Sequence, residues 1–315
     1  METIQLSTDL VSHFSIVLGN QISDLKLLAE NKYCSIYCAE GSGGPVIFKQ
    51  YKTSDDKLVR LEAAGIDTYH SIAMTSERLL DSRVLGYDAE SRTVAIQFVP
   101  GIRLSDAVRA AGRDLSQRAR CIRAMETLGG FLADLRHTTT LPETQLDPFH
   151  FEYLRHCSAR LASLPGVGHY WFANAPREAE DLIRAITGTR IQCSMAHGDF
   201  VFRNLHLDGD RLGVLDFANT LKASHPLNDI CNLKQGLANM ALPGDFGSAL
   251  WSAFRSAYGR HDFTPSVSRF FHEFHRRRWL MLNLGAKNPG RWFRALRGMK
   301  SFASPWKPAD GDIIQ

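Results

Sequence analysis

The chain has 315 residues, 44% of them apolar and 22% charged, with a formal net charge of +4. That length and balance build a substantial globular core, and no run of about 18 apolar residues occurs, so no membrane-spanning helix is expected. The opening METIQLSTDL lacks a basic region followed by an apolar block, which argues against a secretory signal. Cysteines 34, 38, 121, 157, 193 and 231 show no C-x-x-C spacing. They read as small buried thiols of a cytoplasmic protein rather than as a zinc site.

In chain order, residues 25–29, 35–39 and 46–50 read as three short strands. The turn residues Glu30-Asn31-Lys32 and Gly41-Ser42-Gly43-Gly44-Pro45 separate them, which predicts an antiparallel meander. Lys49 ends the apolar run Val46-Ile47-Phe48, and Lys52 is its nearest competitor for any role at that strand end. Residues 55–72 read as a helix with Leu58, Leu61, Ile66, Tyr69 and Ile72 near one face. Gly65 sits on that face and weakens the reading, because an interior glycine costs a helix about 1 kcal/mol against alanine. Glu62 lies in the same stripe. A glutamate on a buried face needs a partner, and a strand lysine across the interface could supply it; Glu77 is the rival carboxylate. Further strands are expected at 82–86 and 93–99, the second ending in the turn Pro100-Gly101. Residues 118–137 carry Ile122, Met125, Leu128, Leu132 and Leu135 at helical spacing.

The most constrained stretch is H-G-D-x4-N at His197, Gly198, Asp199 and Asn204, followed by an apolar strand ending in Asp216-Phe217. Residues 205–207 and 212–215 read as strands joined at Asp208-Gly209-Asp210, a strong hairpin signal. A hairpin returns its ends to one place, so Asn204 and Asp216 are expected side by side. Phosphoryl transfer needs an orienting carboxylate, metal ligands and charge stabilisation in fixed positions. Asp199 then faces the acceptor hydroxyl, while Asn204 and Asp216 supply the oxygens that Mg2+ prefers. The plain alternative is a surface hairpin with ordinary acidic residues.

These residues resemble the aminoglycoside phosphotransferase family, a branch of the kinase-like fold, over about residues 20 to 240. That family carries H-G-D where protein kinases carry H-R-D, and it tolerates residues other than glycine where Ala218 stands. The resemblance implies an α+β, two-lobed protein-kinase-like fold, with ATP in the cleft. A β-rich nucleotide-binding lobe would cover 1–100. A mainly helical lobe with the catalytic loop and acceptor site would cover 101–300, and a tail of little pattern 301–315. It implies that Lys49 reaches the α/β-phosphates with Glu62 fixing it, and that main-chain groups of Gln97 and Val99 bind the adenine edge. His197 would tether the catalytic loop, Asp229 would support it from the first turn of a helix, and Arg203 would face either the transferred phosphate or solvent. No G-x-G-x-x-G loop lies between the first two strands; the loop at 31–35 would cover the nucleotide instead. The implied activity is ATP- and Mg2+-dependent phosphorylation of a small-molecule hydroxyl. AMP transfer to a protein, or a nucleotide-binding scaffold without turnover, are the alternatives.

Residues 269–300 hold nine Lys/Arg and one acid, Glu273. Asn288-Pro289 reads as a helix start, with Trp292, Phe293, Leu296 and Met299 as a stripe flanked by Arg291, Arg294, Arg297 and Lys300. Residues 291–300 could pack on the lobe or contact a membrane peripherally. No recognised nucleic-acid module accompanies the cluster, so nucleic acid is not expected. This basic balance favours a neutral or anionic sugar or glycan acceptor over a polycationic aminoglycoside. The sequence does not specify an oligomeric state.

Overall fold

The computed structural model describes residues 8–165, 167–240, 242–259 and 263–284. The basic stripe at 291–300 and the tail 301–315 lie outside the described residues. The chain divides into two compact units. The first takes the residues up to Leu104 together with His197–Asp199 and Arg203–Leu221. The second takes Ser105–Ala196, Phe200–Phe202 and the chain from Lys222.

In the first unit, α1 (Thr8–Leu18) precedes β1 (Ser23–Glu30), β2 (Cys34–Gly41), β3 (Gly44–Tyr51), α2 (Lys57–Ala73), β4 (Val84–Asp88), β5 (Thr93–Gln97) and β6 (Ile102–Arg103). The sheet runs β1-β2-β3-β5-β4 with every neighbouring pair antiparallel. The expected meander of the first three strands is present. The later strands differ: β4 begins two residues after 82, and β5 ends at Gln97 because the chain turns away before Pro100, which has no N–H for a ladder. Helix α1 was not expected from the sequence. Phe14 is fully buried, stacked on Phe48 at 4.4 Å and edge-on to Tyr37 at 5.2 Å, so α1 closes one face of the sheet.

The buried face of α2 keeps Glu62, Gly65, Ile66, Tyr69 and Ile72 of the expected stripe and differs from it at Leu58 and Leu61. The face is Val59, Glu62, Ala63, Gly65, Ile66, Tyr69 and Ile72, while Leu58 and Leu61 are only half-buried. Those two leucines drew the expected stripe one position off at its start. The smaller residues Val59, Ala63 and Gly65 occupy the core side, and at Gly65 the Thr220 and Phe217 side chains leave no room for a Cβ.

The second unit is mainly helical: α3 (Leu104–Ala111), α4 (Leu115–Thr138), α5 (Pro148–Ala162), α6 (Val167–Phe172), α7 (Ala175–Ile186), α8 (Leu227–Ala238), α9 (Phe246–Tyr258) and α10 (Pro265–Leu284). The short strands β7 (Thr144–Gln145) and β8 (Arg190–Ile191) pair with each other, and β9 (Ser194–Ala196) follows. Helix α4 starts earlier than expected because Asp114 caps it, accepting from Ser116 N at 2.9 Å. It packs on α9 through Gly129, where a Cβ would stand 2.3 Å from the Phe254 carbonyl oxygen. Helices α5, α7 and α10 meet around the buried guanidinium of Arg277, which donates to Ser158 Oγ at 2.9 Å, Ala175 O at 2.5 Å and Glu178 Oε2 at 2.8 Å.

The chain returns to the first unit as the hairpin β10 (Leu205–Asp208) and β11 (Arg211–Val214), in register Leu205↔Val214 to Asp208↔Arg211. Gly209 turns it at a φ of 57°, a conformation glycine adopts without steric cost. Pairing of β10 with β6 extends this to a three-stranded sheet. Tyr69 of α2 anchors the hairpin: its hydroxyl donates to Leu80 O at 2.7 Å and receives the Val214 N–H at 3.4 Å. Among the described residues no helix is long and apolar enough to cross a membrane.

Candidate functional site

Period-two alternation places Lys49 and Tyr51 on one face of β3, opposite Glu62 of α2. Lys49 Nζ lies 2.5 Å from Glu62 Oε1 and 3.0 Å from Asp216 Oδ1. Tyr51 donates its hydroxyl to Glu62 Oε2, so both oxygens of this fully buried carboxylate are engaged. Burial alone would push the Lys49 ammonium toward its neutral form, but Glu62 and then Asp216 outweigh it and hold its pKa above the usual lysine range. Lys52 instead pairs with Glu30 at 2.5 Å, and Glu77 is exposed beyond the end of α2.

Asp216 leaves β11 in the left-handed region, φ 67° and ψ 61°. Burial would raise its pKa; the Lys49 charge and hydrogen bond, with lesser help from His197 and Arg203, lower it overall, so the carboxylate stays ionised. Phe217–Asn219 then form one 3-10 turn. Phe217 packs its ring 4.7 Å from His197 and 5.6 Å from Tyr69. Gly65 makes this approach feasible: a Cβ there would meet Thr220 Oγ1 at 2.6 Å and Phe217 Cβ at 2.7 Å. The glycine that weakens α2 as a helix lets it carry Glu62 up to the Asp216 segment.

The H-G-D loop closes on the same turn. Gly198 has a φ of 80°, and a Cβ there would stand 2.0 Å from Asn219 O. His197 Nδ1 accepts the Asp199 N–H at 3.3 Å, so Nε2 carries the proton and donates to Leu215 O at 2.8 Å. Asp199 Oδ2 receives Arg203 Nη2 at 2.6 Å and Asn204 Nδ2 at 3.3 Å. Asn204 Nδ2 also donates to Asp199 O at 2.9 Å, which turns its amide oxygen the other way. Asn204 O accepts from Leu215 N at 2.8 Å, so Asn204 and Asp216 leave the hairpin at one end.

Gln97 ends β5, its N–H held by Arg83 O at 3.0 Å, and Val99 follows, buried. A Cβ on Gly213, the residue paired with His206, would stand 2.4 Å from Val99 Cγ1. In the second unit Asp229 is buried in the first turn of α8.

Reading the residues in sequence missed Tyr51, Gly198 as a packing position, and Gly213. Tyr51 had a signal, since it falls two residues after Lys49 on one strand. The two glycines had none, because what crowds them is remote in the chain.

The model of the phosphotransferase enzyme family matches residues 35–280. Among solved structures, the chain is similar to a candidate fructosamine-3-kinase from Thermobifida fusca YX-ER1, at 19% identity and a TM-score of 0.57 over 93% of this chain and 99% of that one. It is similar to a thermostable mutant of aminoglycoside phosphotransferase APH(4)-Ia, at 14% identity and a TM-score of 0.60 over 93% and 99%. A glucosamine kinase in complex with glucosamine, ADP and inorganic phosphate gives 13% identity and a TM-score of 0.61 over 93% and 84%. At such identities the likeness is one of fold, which is kinase-like. No curated protein matches the chain in sequence. The family match spans most of the chain, through both the β-sheet and the helical part, and on it the chain belongs to the phosphotransferase enzyme family.

Proposed function

We propose that this phosphotransferase moves the γ-phosphoryl group of ATP, with Mg2+, to a hydroxyl of a small molecule of sugar type. The observation that carries this reading is Lys49 held between Glu62 and Asp216. It sets a cation beside a carboxylate at the end of the hairpin that also presents Asn204. Names of similar folds support the acceptor class, since they include fructosamine-, glucosamine- and aminoglycoside-directed enzymes.

In this reading Lys49 binds the α/β-phosphates and Glu62 orients it. Backbone groups of Gln97 and Val99 take the adenine edge. The Asn204 amide oxygen and the Asp216 carboxylate would hold Mg2+; both are hard oxygen donors, and the amide is already turned with its nitrogen toward Asp199. Bound there, the ion would neutralise charge on the bridging phosphates. Asp199 orients the acceptor hydroxyl and accepts its proton as the oxygen attacks the γ-phosphorus. The bond to the β-phosphate oxygen breaks, and ADP leaves with that electron pair. His197 tethers the Asp199 loop to Leu215, and Asp229 is a supporting carboxylate in the first turn of α8. Arg203, ion-paired to Asp199, fixes the carboxylate and stands near the transferring charge.

The preference for a neutral or anionic acceptor rests on the basic balance of residues 269–300. Within it, Arg276 and Arg277 are paired with Glu273, and Arg277 also with Glu178. Incubation with ATP, Mg2+ and a panel of sugars tests the reading. ADP released with a phosphorylated acceptor supports it. Pyrophosphate release would show AMP transfer, and absence of turnover across the panel would favour a scaffold.

A further inference from the structure

We infer that Tyr51 is a positioning residue of this site, acting on Lys49 through Glu62; the inference rests on the proposed role of Lys49 at the phosphates.

The geometry is a chain of four groups. The Tyr51 hydroxyl donates to Glu62 Oε2, Lys49 donates to Oε1 at 2.5 Å, and Lys49 reaches Asp216 Oδ1 at 3.0 Å. Glu62 is fully buried and Tyr51 nearly so. A buried carboxylate with an unbonded oxygen is costly, so it turns toward whatever donor it can find. With Lys49 alone, it could rotate about its last side-chain bond and offer the ammonium either oxygen. With the tyrosine bonded to the other oxygen the carboxylate is held in one plane, because a partial turn weakens both bonds at once. The ammonium is thereby held at one point beside Asp216.

Tyr51 itself cannot drift. Its backbone N–H donates to Arg92 O at 2.9 Å, and it pairs in register with Cys34 across β2–β3. Burial, and then the Glu62 charge, push its hydroxyl pKa far up, so it stays a donor at any working pH. The facing groups are Glu62, Asp216, Lys49 and the buried Cys34 thiol, itself pushed up to about 11 by burial.

The test is a double-mutant cycle on kcat/KM for ATP with Tyr51→Phe, Glu62→Ala and the pair, run beside Lys49→Met. Rates are normalised to the folded fraction read by near-ultraviolet circular dichroism. Tyr51→Phe deletes one oxygen and keeps the ring, so a loss of about tenfold is expected in the wild-type background. In the Glu62→Ala background the same change should do nothing, because the group it acts on is gone. A loss of equal size in both backgrounds would make Tyr51 a packing residue and overturn the inference, as would wild-type kinetics for Tyr51→Phe. Should Lys49→Met keep its activity, the reading of Lys49 fails instead, whatever the cycle shows.

Discussion

Gly65 of α2 faces Phe217 so closely that a Cβ on the glycine would lie 2.7 Å from the phenylalanine Cβ. The contact joins the helix that carries Glu62 to the turn that follows Asp216. Gly65→Ala would gain about 1 kcal/mol of helix propensity and incur overpacking of about 1–3 kcal/mol. Net destabilisation is expected, with a lower kcat/KM as Glu62 and Asp216 are pushed apart. Urea melts and steady-state kinetics check this; a more stable variant with full turnover would exclude it. Gly198→Ala should be worse, since its clash is with backbone and its φ is positive.

Asp199→Asn should abolish transfer and leave ATP binding largely intact, because orienting the hydroxyl is separate from holding phosphates. Asp216→Asn should weaken nucleotide binding in a Mg2+-dependent way. Calorimetric ATP titrations with and without Mg2+, paired with turnover, separate the two. Near-wild-type turnover by Asp199→Asn would sink the assignment of the base.

Lys49→Met should lower kcat/KM by about two to three orders of magnitude, the usual cost of removing one group that stabilises transition-state charge. Glu62→Gln should lose less, since it acts through Lys49. A nucleotide complex with Lys52 on the phosphates would reverse the choice of lysine.

Stability should fall in mild acid. Burial, aided by the Arg136 charge, lowers the His225 pKa from 6.5 to about 3. Burial also pushes His275 well below its usual range. Both are neutral when folded and take a proton near 6.5 when unfolded. Their contribution is complete above that pH and is lost progressively as pH falls toward the folded values. The slope is about 1.4 kcal/mol per pH unit for each histidine. Guanidinium melts between pH 4 and 8 measure it. His225→Phe, in a site where the ring already stacks on Phe271, should flatten the slope; an unchanged slope would refute the attribution.

Neutral and anionic sugars are expected to turn over better than cationic aminoglycosides, by the basic balance of residues 269–300. A panel of kcat/KM values at two ionic strengths checks the order. Efficient aminoglycoside turnover would reject it.

Local information made the hairpin legible: alternating apolar residues around Asp208-Gly209-Asp210 specify two strands whose ends must meet. The string from His197 to Asn204, with Asp216 one hairpin later, likewise carries the resemblance to the phosphotransferase family, because its residue types and spacing are those the proposed phosphoryl transfer would use. The pairing partner needed by a glutamate on a buried stripe could be anticipated from electrostatics alone. The orientation of α2 could not. Helical periodicity locates a face to within one residue, and the choice of Val59 over Leu58 is made by what the helix packs against. Helix α1 escaped notice because its packing partners, Tyr37 and Phe48, belong to strands not yet formed. What the sequence by itself determined, then, was the antiparallel meander of the first three strands and the hairpin, with Asn204 and Asp216 at its two ends. Only tertiary structure decided that Tyr51 completes Glu62, and that Gly65 and Gly198 are where segments touch, because close approach between residues remote in the chain leaves no periodic trace in it.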